Sequence, residues 1–179
     1  MLTVALPDAA ETRSNATFEA LMWALARPGE IRELPAPGLA PVAEALIDLE
    51  CTAYGDTAEL RRLIAETGAH MGEAVGQADH VFLEHLGDDP AALAWVRCGS
   101  ALYPDDGATV VITAQIGHGQ MLRMRGPGVD GVAELRIAVT PAFWELRAGL
   151  CSYPEGFDLF IVDGLRVIGI PRSTTIEVL

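Results

Sequence analysis

Residues 108–116 constrain the fold more than any other part of the sequence. Val110, Val111 and Ile112 form an unbroken apolar run within this segment. Such a run is typical of a strand that is buried on both faces of a sheet. The sequence therefore predicts a central strand with covering layers on both sides.

Helical segments surround this strand in the sequence. Residues 17–27 place Phe18, Leu21, Met22 and Leu25 at helical spacing, which predicts that these four side chains face inward. Asn15 and Thr17 are candidate N-caps of that helix, and Pro28-Gly29 ends it. Further helices are predicted over residues 42–49, 57–66 with Gly68 as C-cap, 90–96 and 141–149.

Other segments predict strands. Residues 117–120 are expected to form a turn, from which 121–125 return antiparallel to the central strand. Asp163-Gly164 suits a type I′ turn between strands 158–162 and 166–170. Three further strands are predicted over residues 79–86, 134–139 and 174–178. Helices interleaved with strands and followed by hairpins indicate one α/β domain over residues 1–179, a mixed sheet with helical cover.

Charge and hydropathy limit the surroundings of the protein. The net charge of −13 is spread along the chain, which disfavours binding to nucleic acid or to an anionic membrane. No apolar run reaches the roughly 18 residues of a membrane span, and the first residues do not resemble a secretion signal. We therefore expect a cytoplasmic protein whose cysteines, Cys51, Cys98 and Cys151, are thiols.

The absence of lysine excludes two common chemistries. All 12 basic residues are arginine, whereas a pyridoxal-phosphate enzyme needs a Schiff-base lysine and a P-loop needs its Gly-Lys-Ser/Thr. The four histidines have no metal-ligand spacing with cysteines or carboxylates. No serine lies in a nucleophile elbow. The sequence therefore gives no candidate catalytic residue, metal ligand or cofactor.

A candidate oxyanion site follows the predicted strand 121–125. Arg123 and Arg125 would project from one face, and the backbone N–H groups of Gly126 and Gly128 follow in the Gly-Pro-Gly turn. Guanidinium groups and backbone donors together suit a phosphate or phosphonate. The alternative is that the arginines pair with nearby acids such as Asp130 and Glu134.

A second candidate oxyanion site is Arg172-Ser173-Thr174, an arginine followed by hydroxyl groups. The alternative is a plain loop that leads into a final edge strand rich in β-branched residues. Asp158 is a candidate partner for an arginine. Trp23, Trp95 and Trp144 lie on predicted helices and are expected to be core or interface anchors.

Five segments, in order and over nearly the whole chain, resemble motifs of one family, the H subunit (PhnH) family of the bacterial carbon–phosphorus lyase system. They are Phe18 to Gly29 with its closing Arg27-Pro28-Gly29, Gly99-Ser100-Ala101-Leu102-Tyr103-Pro104-Asp105-Asp106-Gly107-Ala108-Thr109, Leu122-Arg123 with Gly126-Pro127-Gly128-Val129, Tyr153-Pro154-Glu155-Gly156-Phe157-Asp158-Leu159, and Ile170-Pro171-Arg172-Ser173-Thr174-Thr175-Ile176-Glu177-Val178. Glu19 departs from the family, which often has arginine there.

This resemblance implies a three-layer fold with helices on both faces of a mixed sheet, similar to pyridoxal-phosphate-dependent transferases but without the cofactor. It implies two copies in a core complex with the G, I and J subunits, and transient contact with L. The G, H and I subunits with L support displacement of adenine from ATP by an alkylphosphonate, which gives ribose 1-phosphonate 5-triphosphate. Nucleosidase chemistry belongs mainly to I and radical C–P cleavage to J, so an accessory role is expected for this chain.

Two alternatives remain open from the sequence. In the first, the chain is a self-contained binding protein or enzyme for a phosphorylated or phosphonate small molecule and uses Arg123, Arg125 and Arg172. In the second, it is a symmetric structural dimer with an empty cleft. An exposed apolar patch would favour the assembly and dimer hypotheses over the self-contained one.

Overall fold

The computed structural model describes residues 6–87 and 90–179, which form four α-helices and ten strands in two sheets. The helices are α1 (Ala9–Ala26), α2 (Ala40–Leu46), α3 (Ala58–Thr67) and α4 (Pro141–Leu150). The strands are β1 (Arg32–Glu33), β2 (Thr52–Gly55), β3 (His70–Met71), β4 (His80–Leu83), β5 (Thr109–Thr113), β6 (Ile116–Arg125), β7 (Ala133–Ile137), β8 (Asp158–Asp163), β9 (Arg166–Ile170) and β10 (Thr175–Val178).

The larger sheet has seven strands in the order β1-β9-β8-β5-β4-β2-β3. Strands β3, β2, β4, β5 and β8 run parallel, whereas β9 returns antiparallel to β8 and β1 is antiparallel to β9. The predicted mixed sheet is therefore confirmed, with β5 at its centre. A smaller antiparallel sheet has the order β10-β6-β7.

The two faces of the larger sheet are covered differently. Val111 on β5 and Phe160 on β8 belong to the core beneath α1, α2 and α3. Val110 and Ile112 on β5 belong to the opposite core, which α4 shares with the smaller sheet. Helices thus contribute to both faces, but an antiparallel sheet that the sequence did not predict takes much of the second face.

The predicted return of β6 against β5 was wrong. β5 already pairs with β4 on one edge and β8 on the other, so it has no free edge. β6 pairs with β7 and β10 instead. Residues 117–120, which were predicted as a turn, lie within β6 at an irregularity where Ile116 and Gln120 both face Ile137.

The first helix begins earlier than predicted. Asp8 is its N-cap and forms a capping box with Glu11, so neither Asn15 nor Thr17 is the cap. Its predicted inward face was also wrong in part. Phe18 and Met22 are 54% and 50% exposed, and the buried residues are Thr17, Leu21 and Ala24.

Gly169 on β9 explains why a small residue of α1 faces the sheet. A Cβ atom at Gly169 would lie 2.6 Å from the carbonyl carbon of Ala24 and from the backbone nitrogen of Leu25. The helix backbone therefore rests directly on the glycine, and Ala24 fits this contact where Phe18 or Met22 would not.

Most other predicted elements are confirmed with bounds that differ by a few residues, and the helix predicted over residues 90–96 is a 3₁₀-helix over Ala91–Trp95. Thr57 caps α3 at its start, and Gly68 ends it in the left-handed conformation. The hairpin of β8 and β9 is present, but its two turn residues are Gly164 and Leu165. Only Gly164 has positive φ (61°), which suits a type II′ turn rather than the predicted type I′. The sequence did not predict the short strands β1, β2 and β3.

The contact at Gly169 can be tested by adding a single methyl group. Gly169→Ala should lower the free energy of unfolding by about 1–3 kcal/mol, because the backbone of α1 must move to accommodate the Cβ atom. Gly149→Ala is the matched control, since nothing lies within 4 Å of that position in α4. It should raise stability by about 0.5–1 kcal/mol through helix propensity. Urea unfolding measures both, and equal effects would contradict this packing.

Candidate functional site

Arg123 and Arg125 project from one face of β6, as predicted. Leu122 and Met124, which alternate with them along the strand, are fully buried on the opposite face. Arg125 is exposed and makes no ion pair with any residue that the structure describes. The strand therefore presents both arginines outward from the smaller sheet.

Arg123 is held by two acids. Its Nε donates to Oε1 of Glu134 on β7 at 2.9 Å, and its Nη1 donates to Oε2 of Glu177 on β10 at 3.2 Å. The hydrogen bond that Arg123 donates to Glu134 is the main reason that the pKa of Arg123 is raised. The alternative of pairing with Glu134 is thus confirmed, and oxyanion binding by Arg123 and Arg125 stays a prediction.

Gly126 and Gly128 allow close packing between chain segments. A Cβ atom at Gly126 would lie 2.9 Å from the carbonyl oxygen of Ser173. At Gly128, which has φ of 83°, a Cβ atom would collide with the carbonyl of Ala26 at the end of α1. The Gly-Pro-Gly turn therefore packs between the end of α1 and the loop before β10.

Arg172 binds Asp158 through both carboxylate oxygens. Nη2 donates to Oδ2 at 2.8 Å, Nε to Oδ1 at 3.3 Å, and the backbone N–H of Arg172 to Oδ1 at 2.8 Å. Nη1 donates to the carbonyl of Pro104, and Nη2 lies 3.5 Å from that of Gly107. The expectation that Asp158 pairs with an arginine is confirmed. Because Asp158 already occupies the guanidinium fork, oxyanion binding by Arg172 would require that pair to rearrange.

Three loops meet at Arg172, and we call this place the Arg172 junction. Residues 98–108 precede β5, residues 151–157 precede β8, and residues 171–174 follow β9. The N–H of Gly156 donates to the carbonyl of Cys98 at 2.7 Å and joins the first two loops. The junction therefore lies at the amino-terminal ends of the parallel strands β5 and β8.

Arg147 on α4 is a buried arginine that sequence reasoning missed. Only 3% of it is exposed. Nη1 donates to the carbonyl of Thr174 at 3.2 Å, and Nη2 donates to the carbonyls of Pro171 at 2.8 Å and Ile170 at 3.4 Å. Its guanidinium carbon lies 5.8 Å from the ring centroid of Phe157. Burial lowers the pKa of Arg147.

The position of Arg147 in the sequence carried a signal for its burial. It lies three residues after Trp144 and four after Phe143, which places all three on one face of a helix. An arginine that shares a helical face with two large aromatic residues is a candidate for a buried position.

A cleft of about 170 Å³ lies against Arg147, and we call it the α4 cleft. It is lined by Trp144, Arg147, Ala148, Cys151, Tyr153, Arg172, Ser173, Thr174, Thr175 and Ile176. The cleft brings together the predicted residues Arg172, Ser173 and Thr174. Arg123, Arg125, Gly126 and Gly128 do not line it.

Three lining residues of the α4 cleft carry buried polar atoms without a hydrogen-bond partner in the described protein. They are Nε1 of Trp144, Nε of Arg147 and Oγ1 of Thr174. Buried donors of this kind are rare in folded proteins and each costs about 1–3 kcal/mol. The cleft is therefore the place in the described chain where unused donors and a buried positive charge coincide.

The remaining titratable groups give no second site of this kind. Burial lowers the pKa of His80 and raises the pKa of the Cys98 thiol. Within residues 6–87 and 90–179, no three His, Cys, Asp or Glu side chains group as metal ligands would. None of the helices in the same ranges is both long and apolar enough to cross a membrane.

Comparison with known families matches residues 8–177 to the model of the bacterial phosphonate metabolism protein (PhnH) family. The chain belongs to this family. A relative in Stutzerimonas stutzeri, described as a putative C-P lyase subunit protein HtxG, is 31% identical over 178 residues, which cover 92% of this chain and 86% of the relative. Another in Rhizobium meliloti (strain 1021), described as alpha-D-ribose 1-methylphosphonate 5-triphosphate synthase subunit PhnH, is 28% identical over 185 residues, 92% of this chain and 90% of that protein.

The segments that resemble the PhnH family meet in the fold. The loop that contains Pro104 and Gly107, the loop before Asp158 and the segment of Arg172 join at the Arg172 junction. The Gly-Pro-Gly turn packs against the end of α1. These motifs therefore contain residues whose hydrogen bonds and packing connect the loops at one end of the larger sheet.

The Arg172 junction predicts a specific loss of stability. Arg172→Gln should lower the free energy of unfolding by about 3–5 kcal/mol, because it leaves a largely buried carboxylate on Asp158 without its partner. Arg125→Gln is the control and should change stability little. The double variant Asp158→Asn/Arg172→Gln should lose less than the sum of the two single variants, as chemical denaturation would measure. Additive losses would show that the pair does not act as a unit.

Proposed function

We propose that this chain is an accessory subunit of a carbon–phosphorus lyase core complex in phosphonate catabolism. In this role it supports, with the G, I and L subunits, the displacement of adenine from ATP by an alkylphosphonate. The product is ribose 1-phosphonate 5-triphosphate. The single observation that carries the proposal is the match of residues 8–177 to the PhnH family, together with two relatives that are both described as subunits.

The partners in this proposal are the G, I and J subunits, with L bound transiently, in a cytoplasmic assembly that contains two copies of this chain. The chain acts without pyridoxal phosphate, although we expect its fold to resemble that of the transferases which use the cofactor. Its lack of lysine agrees with this expectation. The transferase and lyase chemistry resides in the assembly rather than in this chain.

The engagement of two candidate arginines supports an accessory role. Arg123 is held by Glu134 and Glu177. Arg172 holds three loops together through Asp158 and backbone carbonyls. Side chains committed to such contacts stabilise the fold, so they are poorly placed to act as freely available substrate ligands.

Exposed apolar side chains support contact with partner subunits. Phe18 and Met22 lie four residues apart on α1 and are about half exposed, and Trp23 beside them is 43% exposed. In the segments that precede β5 and β8, Trp95 is 79% exposed and Tyr153 is 74% exposed. Large apolar groups in such numbers are typical of surfaces that another protein covers.

Co-purification tests this function and the part that α1 plays in it. The tagged chain, expressed in its own host, should bring down the other subunits, as mass spectrometry would identify. The double variant Phe18→Ser/Met22→Ser should recover at least about tenfold less of them, because each removed side chain contributes about 1 kcal/mol or more of apolar burial. Its thermal stability should remain close to that of the wild type.

Leu49→Ser is the matched control, since Leu49 is 70% exposed but lies outside α1. It should recover the partners as the wild type does. A wild-type chain that purifies alone would contradict the assembly. Full recovery with the double variant would show that the partners bind a surface other than α1.

A further inference from the structure

The guanidinium of Arg147 carries a buried positive charge that forms no ion pair with a carboxylate of the described residues. Its hydrogen bonds go to the backbone carbonyls of Ile170, Pro171 and Thr174. Asp158, the acid of this region, binds Arg172 instead. Burying an uncompensated charge is costly, and proteins normally pair such groups. A bound anion would therefore neutralise the buried charge of the Arg147 guanidinium.

The residues that line the α4 cleft also give it a positive local charge. No aspartate or glutamate is among the described residues that line it, although the chain as a whole has a net charge of −13. Arg147 and Arg172 both line the cleft, and of the two only Arg172 is paired with a carboxylate, that of Asp158. The local charge around the cleft is thus positive within an acidic protein, which would draw in an anion.

Hydrogen-bond donors accompany this charge. Thr174 is 3% exposed, and its Oγ1 has no partner in the described protein. Nε1 of Trp144 and Nε of Arg147 are also buried and have no hydrogen-bond partner in the described protein. The Arg147 guanidinium, an indole N–H and a hydroxyl group provide donors in several directions. A tetrahedral oxyanion with three terminal oxygens can use such a set, whereas a flat carboxylate can use only part of it.

The size of the cleft limits what can enter. A single water molecule needs about 10–15 Å³, and the cleft offers about 170 Å³. This space suits an ion of five or six heavy atoms, or the end of a phosphate chain whose remainder lies outside. It is too small to enclose a whole nucleotide.

We propose that the α4 cleft binds a tetrahedral phosphorus oxyanion. Arg147 supplies the compensating charge, and Thr174 and Trp144 supply further donors after small side-chain rotations. The ion is either a free phosphonate or phosphate, or the terminal phosphate of a longer molecule. The site rests on the geometry of this chain. Only the use of methylphosphonate as the first probe rests on the proposed function.

The cleft lies beside the Arg172 junction, at the amino-terminal ends of β5 and β8. Ligands of open α/β sheets are usually bound at the carboxyl ends of the strands. The proposed site is therefore distinct from the usual cofactor position of such folds. It is also distinct from the surface of β6 that carries Arg123 and Arg125.

Calorimetric titration of the purified full-length chain with methylphosphonate, inorganic phosphate, ATP and acetate tests the site. We expect saturable binding of one phosphorus oxyanion per chain and at least about tenfold weaker binding of acetate. Thr174→Val should weaken the binding by about tenfold or more, because it removes one donor to a charged group. The same substitution should leave thermal stability unchanged or raised, since the buried hydroxyl has no partner in the free protein.

Arg147→Gln should abolish this binding, and Thr174→Val keeps the test decisive if Arg147→Gln fails to fold. The double variant Arg123→Gln/Arg125→Gln should bind as the wild type does. If Thr174→Val weakens the binding of ATP, the site is supported and its ligand is the terminal phosphate of a longer molecule. If Thr174→Val weakens the binding of methylphosphonate or inorganic phosphate, the site is supported and its ligand is a free ion. Absence of saturable binding, equal affinity for acetate, or affinity that Thr174→Val leaves unchanged would overturn the proposal.

These titrations use the chain alone, so their outcome is separate from the outcome of co-purification. A chain that assembles with its partners but binds no oxyanion would keep the proposed function and lose this site. A chain that purifies alone and binds phosphate through Thr174 would keep the site and lose the assembly.

Discussion

The central strand β5 buries side chains on both of its faces, and the rest of the fold follows from that requirement. Val110 and Ile112 point to one core and Val111 to the other. Both edges of β5 are occupied by parallel strands, which cannot be joined by tight turns. The connecting chain must therefore cross the faces of the sheet. The connection from β5 to β8 provides β6, β7 and α4 on one face. The other face is covered by α1, α2 and α3, of which α3 connects β2 to β3.

That topology places three loops beside one another at the amino-terminal ends of β5 and β8. Loops that start and end in buried strands still need partners for their backbone carbonyls. Arg172 and Arg147 both serve this need, because each donates to carbonyls of these loops. Only Arg172 has a carboxylate to balance its charge. Both arginines therefore stabilise the loops, but only the charge of Arg172 is balanced by an acid.

The strongest sequence signals were those that local chemistry decides. The apolar run of β5, the C-cap of α3 and the Gly-containing hairpin of β8 and β9 were predictable, because each depends on residues within a few positions. The pairing of β6 was not predictable from its neighbours in sequence. It depends on whether β5 has a free edge, and distant strands determine that. The inward face of α1 likewise depended on Gly169, far along the chain.

The candidate site shows the same division. Asp158 was correctly expected to bind an arginine, and Arg172, Ser173 and Thr174 do line a cleft. The pairing of Arg123 with Glu134 was the open alternative, and it is present in the structure. Arg147 was not predicted as a site residue, because the candidate motifs contained arginines next to glycines and hydroxyl groups. Its significance comes from burial without an acid, which only the tertiary structure reveals.

In the proposed function, this chain supports chemistry that other subunits perform. Adenine release from ATP and methylphosphonate by purified G, I and L subunits, measured with and without this chain, tests that role. We expect release in the complete mixture, little or none when this chain is omitted, and none from this chain alone. Adenine release by the isolated chain, or undiminished release in its absence, would contradict that role.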